Sequence, residues 1–232
     1  MTKADATTVP AGVRTVPPVP PGATRLMLVR HGEAVCNVAG VVGGPTGCTG
    51  LSETGVRQAE ALRDRLARSG ALGRATALYA SVLARAVDTA SVIRPVVGDG
   101  ALEIVSDCGL CEVHPGEGDG LAWAEFVARY GEPDWDRDPT TALAPGGESW
   151  TGFVARASAA LETLAARHAG EQVVVVCHAG VIESAMLRLL PMAGVDRLRL
   201  RTEHTSLTEF EADEERGGWR LLRYNDAGHL PG

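Results

Sequence analysis

The feature that most constrains this chain is a pair of short apolar runs that end alike. Arg25-Leu26-Met27-Leu28-Val29 opens into Arg30-His31-Gly32-Glu33, and Val173-Val174-Val175-Val176 opens into Cys177-His178-Ala179-Gly180. A short run that is apolar at every position, not every second one, reads as a strand buried on both faces. The segments between alternate in period. Ser52 begins a helix through Val56, Ala59, Leu62 and Leu66 that ends near Gly70. Ala77–Ala80 is a second strand, Ala84–Ile93 a helix stopped by Pro95, and Leu102–Val105 a third strand. Leu121–Tyr130 is a short helix, Ser149–His168 a long one with Phe153, Ala157, Leu161 and Leu164 on one face, and Val181–Leu190 another. Ser206–Phe210 and Trp219–Tyr224 read as late, antiparallel edge strands. Strands alternating with helices predict an α/β fold, a three-layer α/β/α sandwich with a mostly parallel mixed sheet. In such sheets ligands bind outside the carboxyl ends of the strands. His31 and His178 both fall there.

Composition narrows the classes. A chain of 232 residues with 45% apolar and 22% charged residues fits one large globular domain. It has no apolar run long enough for a membrane helix. A net charge of −7 disfavours nucleic acid as partner. Lys3 is the only lysine among 22 basic residues, so a Schiff-base or phosphate-loop lysine is excluded. Five cysteines, with no apolar leader after Met1, point to free thiols in a reducing cytoplasm. Residues 1–23 hold Pro10, Pro17, Pro18, Pro20 and Pro21 and read as a disordered arm, leaving a single domain over 24–232.

Arg30 beside His31 suits an anionic substrate. A guanidinium offers a fork for phosphate oxygens, and its charge keeps a neighbouring imidazole neutral and nucleophilic. Arg85 falls in the first turn of the helix after the second strand, near the same sheet edge and at a helix end that favours anions.

The ordered set Leu28-Val29-Arg30-His31-Gly32-Glu33, Ser81 to Arg85-Ala86 with Thr89-Ala90, and His178-Ala179-Gly180 resembles the histidine phosphatase, or phosphoglycerate-mutase-like, superfamily. Asn37, Leu51 to Ala59 and Pro145-Gly146-Gly147-Glu148-Ser149 extend the match over roughly residues 25–210. The resemblance implies that His31 is a nucleophile forming a phosphohistidine. It places Arg30, Arg85, His178 and Asn37 around the phosphoryl group. Glu112, in Leu110-Cys111-Glu112, matches the family's general acid, with Glu117 the competitor. The backbone amides of the Gly43–Gly50 loop are expected to help the site. His204 stands where the family's late motif usually opens with asparagine, and neither it nor His114 receives a role.

Other chemistries fit less well. Cys108-x-x-Cys111 with His114 lacks the second cysteine pair of a structural zinc site, so no metal is expected. The Gly43–Gly50 loop has no Gly-Lys-Ser/Thr and so is no ATP loop. Glu183 stands where a cysteine phosphatase needs arginine after Cys177. Asp134, Asp136 and Asp138 lack the glycine and distal glutamate of a calcium loop. The expected activity is metal-independent, cofactor-free hydrolysis of a small phosphate monoester, without nucleic-acid or membrane partners; base rates favour a homodimer. The rivals are a phosphoglycerate-type mutase on the same site, an inactive phosphate-binding module, and a phosphatase acting on phosphoprotein. Residues 108–147, Trp135 included, would set specificity.

Overall fold

The computed structural model describes residues 19–20, 22–190, 199–213 and 217–231, so the expected arm lies almost wholly outside the described residues. In chain order the elements are β1 (Ala23–Arg30), α1 (Val35–Ala39), α2 (Glu53–Ser69), β2 (Ala77–Ala80), α3 (Ala84–Ile93), β3 (Ile104–Ser106), α4 (Trp123–Tyr130), α5 (Trp150–Arg167), β4 (Gln172–Cys177), α6 (Ala179–Leu189), β5 (Leu207–Asp213) and β6 (Gly218–Asp226). The strands form one sheet in the order β3-β2-β4-β1-β5-β6. β3, β2, β4 and β1 are mutually parallel, and β5 and β6 add an antiparallel edge.

Each apolar run feeds two cores, because alternate residues of a strand face opposite sides. Leu26, Leu28, Val173, Val175 and Cys177 pack under α5 and α6. Met27, Val29, Val174, Val176, Leu78 and Ala80 pack under α2 and α3. Helices on both faces make the expected three-layer sandwich. Each fully buried Val or Leu contributes roughly 1.5–3 kcal/mol.

Some boundaries differ from the sequence expectation. β1 begins at Ala23, inside the expected arm. The third strand is Ile104–Ser106, not Leu102–Val105. Leu102 instead packs from the preceding loop against the α2/α3 core, and β3 is an edge strand whose side chains are largely exposed. The short α1 has five residues, too few to show a helical period. Cys177 is a fully buried core residue, as a strand-end packing role predicts.

One polar feature crosses the sheet. Arg25 on β1 stands opposite Glu211 on β5, and its Nε and Nη2 donate to Glu211 Oε2 at 3.0 Å. Its Nη1 lies 3.5 Å from Glu209 Oε1, which also accepts from Arg223 Nε on β6 through Oε2 at 2.9 Å. Paired charges are tolerated in such a position, whereas a lone one would cost several kcal/mol.

Candidate active site

The sheet ladder runs past the strands and fixes the first residues of the site. His31 N donates to Cys177 O at 3.0 Å, and Ser81 N donates to Val176 O at 3.0 Å. The backbones that follow β1, β2 and β4 are thereby locked side by side at their carboxyl ends.

His31 is buried, and both of its ring nitrogens are engaged. Nδ1 lies 2.6 Å from Gly32 O, a carbonyl, so Nδ1 carries the proton. Nε2 then has a lone pair, and Arg85 Nε donates to it at 3.1 Å. Burial first, and the Arg85 guanidinium second, hold the His31 pKa well below the usual imidazole value. A neutral ring with its Nε2 lone pair presented beside a guanidinium is set up to attack an electrophile that brings negative charge.

Arg85 is 5% exposed. It sits in the first turn of α3, and its Nη1 donates to Gly43 O at 2.7 Å. His178, fully buried at the start of α6, has its ring centroid 5.0 Å from that of His31, the two rings tilted by 59°. Burial, then Arg85, lowers its pKa strongly. His204 joins the cluster at 5.7 Å from His31, its pKa lowered to about 4 by burial and by Arg30. Arg30 donates through Nη1 to Thr202 O. Among the described residues, Arg30 Nε, His204 Nε2 and both ring nitrogens of His178 are buried without a hydrogen-bond partner. Each such group costs about 1–3 kcal/mol, so their convergence on one spot marks a place built for a polar ligand.

His204 is the member that sequence reasoning left without a role. It is set by its neighbour: Thr205 adopts φ +55°, a left-handed conformation that costs a β-branched residue of order 1–3 kcal/mol. Thr205 is held there by its N–H on Arg30 O at 2.9 Å and its hydroxyl on His204 O at 2.7 Å. No sequence signal marks a threonine for that conformation.

The Arg-His-Gly-Glu loop is gripped by the start of α2. Ser52 caps that helix, accepting from Gly55 N at 3.0 Å and donating to Glu33 at 2.6 Å. A Cβ on Gly55 would stand 2.0 Å from Glu33 O, and one on Gly32 would stand 2.6 Å from Gly55 O. Two bare backbones therefore meet here, which ties the distant Ser-Glu-Thr-Gly segment to the loop of the first histidine. Gly32 N also donates to Thr89 Oγ1 at 3.0 Å.

Glu112 reaches the same place from the loop after β3. Its Oε2 accepts from Gly180 N at 3.1 Å, in the first turn of α6 and next to His178. A Cβ on Gly180 would stand 2.2 Å from Glu112 Oε1, so the glycine makes room for the carboxylate. Glu117 is exposed and takes the Tyr130 hydroxyl at 3.3 Å, which leaves Glu112 as the carboxylate beside the histidines. Asn37 is exposed, its Oδ1 accepting from Ala34 N at 3.2 Å at the start of α1.

Two further groups were not legible beforehand. Asp119 accepts from the amides of Gly44, Thr46 and Gly47 at 2.7–2.9 Å, so those amides of the glycine-rich loop are taken by a carboxylate and do not face the site. Arg156 on α5 forms a two-pronged pair with Glu148 at 2.7 Å on each arm. It also donates to the carbonyls of Cys108, Gly109, Cys111 and Glu112 at 3.0–3.3 Å, pinning the loop that carries Glu112.

Comparison with known proteins agrees with this geometry. The chain is 32% identical over 212 residues to a metal-independent phosphoserine phosphatase of Arabidopsis thaliana, covering 89% of this chain and 83% of the relative. It is 28% identical to a probable phosphoglycerate mutase of Yersinia pestis, covering 89% and 94%. Among solved structures, a mycobacterial glucosyl-3-phosphoglycerate phosphatase in complex with VO3 superposes with a TM-score of 0.68 at 29% identity, over 87% of this chain and 99% of that one. The model of the histidine phosphatase superfamily, branch 1, matches residues 26–227. With its two strand-end histidines and flanking arginines in that frame, the chain belongs to the histidine phosphatase superfamily.

Proposed function

We propose that the protein is a metal-independent phosphatase that hydrolyses a small phosphate monoester through a phosphohistidine on His31. The observation that carries this reading is the His31 ring itself, with its Nδ1 proton on Gly32 O and its Nε2 lone pair facing Arg85. Nε2 attacks phosphorus and the ester P–O bond breaks. Glu112 gives its proton to the departing alkoxide oxygen. Arg85 Nε turns its hydrogen from the ring to a phosphoryl oxygen, and Arg30, His178 and Asn37 take the others. Each such donor is worth about 10²–10³ in rate. Water then attacks the phosphohistidine and gives a proton to the Glu112 carboxylate. The P–N bond breaks, free phosphate leaves, and both residues return to their starting state.

The test is phosphate release from para-nitrophenyl phosphate in excess EDTA, wild type beside His31→Ala, followed by a panel of phosphoserine, sugar and sugar-acid phosphates. Release by the wild type, and its loss together with acid-labile phospholabelling in the variant, is expected. Labelling that persists without His31 overturns the reading. The similarity to a probable phosphoglycerate mutase favours one second reading, the same site returning its phosphoryl group to a sugar acid. An isomer formed without free phosphate would establish it.

A further inference from the structure

The loop after β3 holds a cluster that the phosphoryl chemistry does not use. Cys108, Cys111 and His114 each offer a ligand atom, and the three atoms lie within 4.8 Å of one another. Cys111 Sγ is 3.3 Å from Cys108 Sγ, and Cys108 Sγ is 3.4 Å from His114 Nε2. A tetrahedral zinc-type ion at ordinary bond lengths holds neighbouring sulfur and nitrogen ligands about 3.5–3.8 Å apart. The two distances from Cys108 Sγ need to lengthen by only a few tenths of an ångström to match it.

We propose that Cys108, Cys111 and His114 form a binding site for one thiophilic divalent cation of the zinc type, with solvent as its fourth ligand. The lack of a second cysteine pair argues against a closed four-ligand site, not against this open one. Three further observations support it. First, His114 turns its other ring nitrogen, Nδ1, toward Glu148 Oε2 at 3.6 Å, the outer carboxylate that orients a ligating histidine. Second, the cysteines span one tight turn, Cys108–Leu110, capped by Asp107 on Gly109 N at 2.7 Å and held by Arg156 on the carbonyls of Cys108, Gly109 and Cys111. The ligands are therefore fixed in advance. Third, Cys108 is exposed while Cys111 is buried, so the site has an entry side and a solvent position.

On binding, two thiols release their protons to solvent, two metal–sulfur bonds form, and the neutral imidazole completes the set. Two thiolates cancel the charge of the ion. Glu112 lies between Cys111 and His114 in the chain, so the ion clamps the loop on both sides of it. The inference does not rest on the proposed function: phosphate release in EDTA reads the chemistry at His31, and the experiment below reads the loop.

The full chain, reduced and stripped of metal, is titrated with Co²⁺ and then Zn²⁺. One equivalent of Co²⁺ is expected to give thiolate-to-cobalt absorption in the near ultraviolet, displaced by Zn²⁺. Cys108→Ser and His114→Ala, both at accessible positions, are each expected to weaken binding by more than the about 10–100-fold that loss of an outer partner costs. One equivalent of Zn²⁺ should also protect Cys108 from alkylation, read by peptide mass. Absence of the band overturns the proposal. So does a band that survives in either variant, which would place the ion elsewhere, for example on the hydrogen-bonded pair Cys36 and Cys48. Cys108 alkylation unaffected by Zn²⁺ overturns it as well.

Discussion

The loop after β1 and the loop after β3 each deliver one residue to the same spot, yet they are held in opposite ways. The first is fixed by main chain: a ladder bond into β4, a Gly32–Gly55 contact with no side chain between, and a Gly32 amide on Thr89. The second is fixed by side chains, with Arg156 gathering the carbonyls around Glu112 and Glu148 accepting from Arg156 and from the His114 amide. A main-chain grip leaves little freedom and tolerates no added atom. A guanidinium grip is adjustable and suits a group that exchanges a proton. The contrast is between a rigidly held His31, the proposed nucleophile, and an adjustable Glu112, the proposed acid.

The sharpest way to break the comparison is at Gly55. Gly55→Val drives a side chain into Glu33 O and is expected to destabilise by about 3 kcal/mol, with activity lost for every ester. A shift in urea midpoint beside kcat/KM checks it. Gly180→Ala displaces Glu112 and leaves His31 in place. Hydrolysis of alkyl phosphates should fall about 100-fold, while nitrophenyl phosphate, whose leaving group needs little protonation, changes by only a few fold. Equal losses on both would move the acid away from Glu112. Arg156→Lys removes the fork and should give the same selectivity at about tenfold, visible in the ratio of the two kcat values.

A separate effect is on acid stability. His204 and His229 have pKa values lowered to about 4, and His31 and His178 are lowered as well, chiefly by burial. The unfolded chain takes up protons at these rings below about pH 6.5, while the folded chain does not. Stability is therefore full above about pH 6.5 and lost as pH falls toward about 4. His229→Gln, at a ring that meets the Thr205 hydroxyl at 2.8 Å, should flatten part of that fall in a series of melting temperatures.

The rigid half of the site was legible in the sequence, because His31 and His178 sit directly after apolar runs whose burial fixes their place, and Arg85 in the first turn of the helix after another. The order of layers and the antiparallel edge followed from the same periodicity. Glu112 needed the family pattern, since nothing local separates it from Glu117; only the approach of Gly180 does so. Arg156, Asp119 and Thr205 were beyond reach. Their roles depend on partners that tertiary structure alone brings near, such as the Gly44–Gly47 amides for Asp119. His114 and the two cysteines were set aside on ligand count, a rule that applies to closed four-ligand sites; the proposed site is an open one.

The sheet order has a consequence for biosynthesis. β1 emerges first, but its neighbours are β4 and β5, and β2 also waits for β4. When the ribosome has made the first 170 residues, β1 has no strand beside it and only the β2–β3 pair is complete. β4 is the keystone that joins them, and His31 meets His178 in the same event. An interrupted chain therefore carries no partial activity, and its unpaired apolar β1 is a natural target for chaperones. The histidine pair and the joined parallel strands come into being together, late in translation, before β5 and β6 close the antiparallel edge.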